Sequence, residues 1–166
     1  WFEGVWSRFK PQKGQDRRGV TGVTIDTIKK IGKRITHIPE NFNVHPTVKK
    51  IFENKNKMFQ LGTGFDWATA EQLAFGTLLE EGTPVRLSGQ DSGRGTFSQR
   101  HSVLRDQKDN NYYTPLNNIS KKQKNFEVID SLLSEFAVLG FEHGYSLSEP
   151  TTLVVWEAQF GDFANG

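Results

Sequence analysis

Three short apolar runs divided by glycines and polar turns constrain the fold more than any other feature: PVRLSG at 84–89, NFEVIDS at 125–131 and TTLVVWE at 151–157. Each has the length and residue content of a buried strand. Between the second and third lies SEFAVLGFEHGYSLSEP, where Phe136, Leu139, Phe141 and Leu147 offer a buried helical face before Pro150 stops the helix. Strand, helix and strand in that order make a βαβ unit. Such units build parallel sheets, whose ligands gather at the carboxyl ends of the strands. Gly89 to Gly95, Ser134 to Glu135 and Glu157 to Phe163 all fall on that edge. The fold class expected is therefore α/β with a parallel sheet.

Upstream of Pro84 the periodicity is helical. Ile25, Ile28, Ile31 and Ile35 share one helix face, with Lys29, Lys30, Lys33 and Arg34 mostly on the other, and the helix should end before Pro39. Pro46 suits the first turn of a second helix, with Val48, Ile51, Phe52, Met58 and Phe59 at apolar spacing until Gly62. Asp66 reads as the cap of a third, closed by Gly82, with Trp67, Ala70, Leu73, Ala74 and Leu78 facing inward. The stretch Asp106 to Lys124 reads as an exposed polar excursion with a short extended piece at Tyr112 to Leu116. Residues Trp1 to Gly22 mix aromatic anchors with Arg8, Lys10, Lys13, Arg17 and Arg18 and the breakers Pro11, Gly14 and Gly19. This is either a mobile connector or, less in keeping with the rest, a basic-aromatic surface of an RNA-binding or scaffold domain.

Composition bounds the function. The chain has 166 residues and 35% hydrophobic content, enough for one modest core. Its 21 basic and 19 acidic residues leave a formal charge of +2, so neither nucleic acid nor an anionic membrane is indicated as a partner. With no cysteine, thiolate metal sites and cysteine nucleophiles are excluded. No apolar run approaches the ~20 residues that cross a bilayer. The chain opens on Trp1 and stops at Gly166 directly after a motif, and reads as an internal piece of a longer protein.

Four histidines, His37, His45, His101 and His143, lack metal-ligand spacing, and no metal site is assigned. SGQDSGRGTFSQRH is neither a dinucleotide fingerprint nor a P-loop; it is a tight strand-end turn or a binding loop, with Gln90 its most suggestive polar side chain. Glu135 stands at a strand-to-helix junction flanked by Leu132, Leu133, Phe136 and Val138. Its carboxyl group is either partly desolvated, which favours the neutral, hydrogen-bond-donating form, or simply a first-turn acid complementing the helix dipole. WEAQFGDFANG places Glu157, Gln159, Asp162, Phe160 and Phe163 after a strand. A pocket wall with one amide and one stacking ring accounts for it better than an acid–base pair, and an ordinary strand-to-helix turn remains the plain alternative.

Taken together, SGQDSGRGTFSQRHSVLRDQ, YTPLNN, LLSEFAVLGFEHGYS and WEAQFGDFANG closely resemble the thiamine-diphosphate-dependent first component of 2-oxoglutarate dehydrogenases. The match runs in order across about half the chain, and GFDWATAEQLAFGTLLEEGTPVRLSG is also similar to that family. The resemblance implies a transketolase-like pyrimidine-binding fold, with residues 1–65 a helical connector and 66–166 the first half of the pyrimidine-binding domain, truncated at its C-terminal end. It implies that Glu135 hydrogen-bonds a ring nitrogen of the aminopyrimidine, that Gln159 is a polar pocket residue, that Phe163 stacks on the ring, and that Leu133 and Gln90 line the cavity. Glu135 is then the catalytic residue, sharing a proton with the ring so that the cofactor can act as its own base. Phe136 stands where many members carry a second acid.

The same resemblance implies a magnesium ion whose ligands lie outside this chain, a homodimer, 2-oxoglutarate as substrate, and a lipoyl-bearing dihydrolipoamide succinyltransferase as acceptor in the tricarboxylic acid cycle. The compartment implied is the cytoplasm in a bacterium, or the mitochondrial matrix in a eukaryote. The piece alone should be inactive. A 2-oxoglutarate decarboxylase or another thiamine-dependent 2-oxoacid dehydrogenase is the nearest alternative, because residues elsewhere also set substrate choice.

Overall fold

The computed structural model describes residues 4–10 and 19–166. After a 3-10 turn at Gly4–Arg8 come three helices, α1 (Ile25–Ile35), α2 (Pro46–Leu61) and α3 (Trp67–Glu81). Strand β1 (Val85–Gly89) follows, then a small antiparallel pair, β2 (Leu104–Arg105) with β3 (Tyr112–Tyr113), and a 3-10 turn at Pro115–Asn118. The chain closes with β4 (Phe126–Asp130), α4 (Glu135–Ser148), β5 (Leu153–Glu157) and the short α5 (Asp162–Asn165). No helix among the described residues is long and apolar enough to cross a membrane.

The helix ends obey local chemistry. Thr24 Oγ1 accepts the Thr27 N–H at 3.2 Å to start α1, whose last turn carries Lys33 and Arg34 where cations suit the dipole. Pro46 opens α2 and Gly62 ends it. Asp66 Oδ1 accepts the Thr69 N–H at 2.7 Å to start α3, and Gly82 ends it. All three helices lie where the apolar periodicity puts them. The inward face of α3 does so only in part: Leu73 and Leu78 pack against the core, half-buried. Trp67 is 92% exposed and Ala70 and Ala74 face solvent, while Ala68, Thr69, Gln72, Phe75, Gly76 and Leu79 are buried. Thr69 and Gln72 conceal this face in the sequence, because both are polar residues whose hydrogen bonds are made inside.

The sheet has the order β4-β1-β5, with both pairings parallel, so the β4–α4–β5 crossover passes over β1 and leaves it central. Every residue of β1 is buried. Val85 pairs with Phe126 on one side and Leu153 on the other, which sets the two faces. Val85, Leu87 and Phe126 pack with Ile31 and Ile35 of α1, Phe59 of α2, and Phe75 and Leu79 of α3; Val128 and Val155 flank them. The α/β class with a parallel sheet is thus confirmed, and α1 and α2 contribute directly to its core. The excursion at 106–124 is less exposed than its polarity suggests, because Leu116 and Ile119 enter the same core. Gln123 makes that possible by accepting the Ile119 and Ser120 N–H groups at 2.7 and 2.8 Å.

The opposite face carries Arg86, 6% exposed, whose Nε and Nη2 donate to the two oxygens of Glu142 in α4 at 2.7 and 2.8 Å. Its Nη1 donates to Glu127 at 2.7 Å, and the guanidinium lies 4.5 Å from the Tyr145 ring centroid. The hydrogen bonds to Glu142, and secondarily to Glu127, raise its pKa further against desolvation. Consequently α4 turns Val138 and Glu142 inward, and the expected face of Phe136, Phe141 and Leu147 lies exposed, with Leu139 half-buried. At the other end of α4, Trp6 Nε1 donates to the Leu147 carbonyl at 2.8 Å, so one N-terminal aromatic does act as an anchor. Pro11, Lys13, Gly14, Arg17 and Arg18 lie outside the described residues.

Lys55 of α2 is also buried, at 2% exposure, donating to Gln72 Oε1 at 2.9 Å and to the Arg100 carbonyl at 3.1 Å. Desolvation lowers its pKa from 10.5 to about 8, although Asp66 and Glu71 oppose the shift. Below the folded-state value the penalty for burying the ammonium is present in full. Between the two values the unfolded chain holds a proton that the folded chain has released, so stability rises with pH across that window. The unfolding free energy of the wild type minus that of Lys55→Met should rise by about 3 kcal/mol from neutral pH to the ordinary lysine value. Urea titrations of both proteins measure it, and a pH-independent difference would refute the shift.

Candidate functional site at the carboxyl end of the sheet

The three segments that the βαβ pattern assigns to one edge do meet there. Gly89 ends β1 with φ +155°, and a Cβ on it would lie 2.6 Å from the Glu157 carbonyl oxygen and 2.8 Å from Ser92 Oγ, so glycine permits the β1 and β5 exits to approach. The Ser131 N–H donates to the Gly89 carbonyl at 2.7 Å, and the Gly93 N–H to Asp130 Oδ1 at 2.8 Å, joining the β4 exit to the same turn. Arg100, buried, fastens the loop from below: Nη1 reaches the Ser92 carbonyl at 2.7 Å, Nε reaches Glu71 of α3 at 2.6 Å, and Nη2 pairs with Glu157. Glu157 is therefore committed to an ion pair, which agrees with a pocket wall rather than an acid–base role.

Gln159 is held by the glycine-rich loop. Its Nε2 donates to the Gln90 carbonyl at 3.1 Å and to Thr96 Oγ1 at 2.9 Å, and the Thr96 hydroxyl lies 3.2 Å from Glu157 Oε1. Thr96, Phe97, Gln99, Gln159, Phe160 and Phe163 help line an open, mainly apolar cleft of about 410 Å³. Phe163 is 80% exposed, its ring free to stack. A larger opening of about 550 Å³ runs from Arg34 to Asn125 beside the start of β4, the end of a parallel sheet where ligands seldom bind.

Glu135 begins α4 with φ +53°, a left-handed conformation that costs a non-glycine residue about 1–2 kcal/mol. A residue serving only to complement the helix dipole needs no such geometry. Its N–H donates to Asp162 Oδ1 at 2.9 Å, and its Oε1 accepts from Asn165 Nδ2 at 2.9 Å. Asp162 Oδ2 accepts the Gln159 N–H at 2.7 Å, so one carboxylate ties the backbones of Glu135 and Gln159 together.

The flanking chemistry differs from expectation. Glu135 is exposed, not desolvated, because Leu132, Leu133 and Phe136 turn outward and only Val138 packs inward. Leu133, 41% exposed, and Gln90, whose side chain is exposed, do not line the cleft with Gln159 and Phe163; Gln90 contributes its carbonyl oxygen. Thr96, Asp162 and Asn165 carry much of the geometry without having been assigned a role in the sequence. For Asp162 and Asn165 the signal was the motif itself, since two polar residues three apart in DFAN share one helical face; Thr96, in the glycine-rich loop, carried none. Among the described residues no group of three or more His, Asp or Glu side chains is placed to hold a metal ion.

A parallel-sheet α/β domain with a carboxyl group, an amide and exposed aromatic rings gathered on its carboxyl edge has the chemistry to receive a flat nitrogen heterocycle. The family described as transketolase, pyrimidine binding domain, matches residues 63–165, and the chain belongs to that family. Across its whole length it is 56% identical to the 2-oxoglutarate dehydrogenase E1 component of Brucella anthropi and to that of Brucella canis, and 55% identical to that of Brucella melitensis. The resemblance drawn from the motifs therefore extends over the entire chain. The chain spans 17% of the length of these relatives.

Proposed function

We propose that this chain supplies the aminopyrimidine-gripping half of a thiamine diphosphate site in a dehydrogenase acting on 2-oxoglutarate. The observation that carries the reading is the convergence of Glu135, Gln159 and Phe163 through α5 at the carboxyl end of the sheet, in a chain of this family. The residues fit the group: a carboxyl beside a ring nitrogen, an amide for a polar edge, and an exposed ring for stacking. When bound, thiamine diphosphate supplies the electron sink that lets a 2-oxoacid lose carbon dioxide. Glu135 holds a proton at the ring nitrogen, and its position is set from α5. Gln159 satisfies a polar edge that burial would leave unpaired, and Phe163 fixes the plane of the ring. Leu133 and Gln90 are proposed to complete the cavity once it is covered.

The cover is proposed to come from a second subunit in a homodimer, supported by the exposed apolar side chains Leu132, Leu133, Phe136, Phe160 and Phe163 around the carboxyl. Magnesium and the diphosphate grip are assigned to parts of the protein outside this chain, and residues 1–65 to the connector before a pyrimidine-binding domain at 66–166. The succinyl unit is proposed to pass to the lipoyl group of a dihydrolipoamide succinyltransferase, in the tricarboxylic acid cycle and in the cytoplasm, as the bacterial relatives suggest.

Phe163→Ala in the intact protein is expected to weaken thiamine diphosphate binding about tenfold, the loss of one stacking contact and its buried area. Calorimetry checks it, and an unchanged affinity would place the ring elsewhere. Turnover of 2-oxoglutarate against pyruvate with a lipoyl acceptor checks the substrate: strong preference for 2-oxoglutarate is expected, and preference for pyruvate would move the protein to another 2-oxoacid dehydrogenase.

A further inference from the structure

α5 reaches Glu135 in two places. Asp162 is 5% exposed, and its two carboxylate oxygens are spent on two backbone donors, the N–H of Glu135 at 2.9 Å and the N–H of Gln159 at 2.7 Å. A buried carboxylate is costly unless such bonds compensate it, so its presence here marks a demand for geometry. One turn on, at i+3 and on the same face, Asn165 donates to Glu135 Oε1 at 2.9 Å. Between these two contacts sits a residue held at φ +53°, which relaxes toward ordinary helical values if nothing restrains it.

We propose that Asp162 and Asn165 are a pair of positioning residues for Glu135, Asp162 locking its backbone in the left-handed turn and Asn165 aiming its carboxyl group. Asp162 also locks Gln159 in register with Glu135, so the two polar contacts to a bound heterocycle move as one unit. The inference rests on the reading of Glu135 as the cofactor's partner and deepens it.

The test is a double-mutant cycle in the intact protein, read as thiamine diphosphate affinity by calorimetry in magnesium-containing buffer and as kcat. Asp162→Asn keeps the shape of the side chain but turns an amino group toward one of the two N–H donors. Asn165→Ala removes the donor to Oε1 from an exposed position, leaving the fold intact. Each alone should weaken binding or lower kcat about tenfold to a hundredfold, with KM for 2-oxoglutarate nearly unchanged. On a Glu135→Gln background Asn165→Ala should add little, because the carboxyl group it aims is already gone, and Asp162→Asn should keep only the smaller part of its effect that passes through Gln159. Full additivity on that background would overturn the proposal, since the residues would then act independently of Glu135. If Asp162→Asn does not accumulate as folded protein, the Asn165→Ala cycle decides by the same criterion. Should Glu135→Gln alone leave both affinity and kcat unchanged, the reading of Glu135 falls, and the positioning role falls with it.

Discussion

Glu135→Gln in the intact protein is expected to leave folding near normal while lowering turnover by about a hundredfold or more, the usual scale of a lost acid–base group. Folding should survive because the side chain is exposed, its backbone N–H still reaches Asp162, and an amide can still meet Asn165. Turnover should not survive, because an amide cannot exchange a proton with a ring nitrogen at any accessible pH. The same reasoning separates Glu135 from Glu157, whose carboxylate is paired with Arg100 and works on structure. Steady-state kinetics with saturating cofactor, beside a thermal midpoint, measures both parts of the expectation. Wild-type activity in Glu135→Gln would end its catalytic assignment.

Glu142→Ala is expected to destabilise this chain by about 3–5 kcal/mol, the cost of leaving a buried charge without its partner. Arg86 has nowhere to relax: it lies on the central strand, its Nε and Nη2 are fixed by Glu142, and only Glu127 at the edge would remain. Arg86→Met combined with Glu142→Leu should recover most of the loss, because two apolar side chains of similar volume remove the desolvation penalty altogether. Urea unfolding of the three proteins measures it. A loss below about 1 kcal/mol for Glu142→Ala would mean that the pair is solvated as surface pairs are.

The elements legible in the sequence are those whose signal is local. Helix α1 starts at a threonine cap, α2 at a proline and α3 at an aspartate, and glycines end the last two; each feature acts within one turn of chain. The three strands were legible because apolar runs of that length between glycines and turns have few other uses, although only β1 is fully buried and β4 and β5 are mostly half-buried. The faces of α3 and α4 were legible only in part, since Thr69, Gln72 and Glu142 are polar residues buried by partners distant in sequence. Polarity predicts exposure only when the hydrogen-bonding partner is water. Lys55 and Arg86 are buried by the same kind of partner, Gln72 and the Arg100 carbonyl for one and Glu142 for the other.

For the proposed site, Gln159 and Phe163 stand out through an ordinary physical signal, an amide and rings crowded after a strand, which an ordinary strand-to-helix turn also accounts for. Glu135 does not stand out in this way: its pattern alone favours a dipole-complementing acid, and only family resemblance assigns it a role. The desolvation expected around it depended on treating neighbouring leucines and phenylalanines as cover, whereas in this chain they face outward. Asp162 was visible within the motif, but nothing in spacing shows that its two oxygens join two backbone segments.

One exposed edge of this sheet is proposed to receive the aminopyrimidine ring of thiamine diphosphate. A structure of the intact protein with the cofactor bound tests it most directly. The prediction is a Glu135 carboxylate oxygen within hydrogen-bonding distance of a ring nitrogen, the Phe163 ring stacked on the pyrimidine face, and apolar side chains of a second subunit closing over Leu133. A pyrimidine ring bound elsewhere, with Glu135 still open to water, would contradict the account.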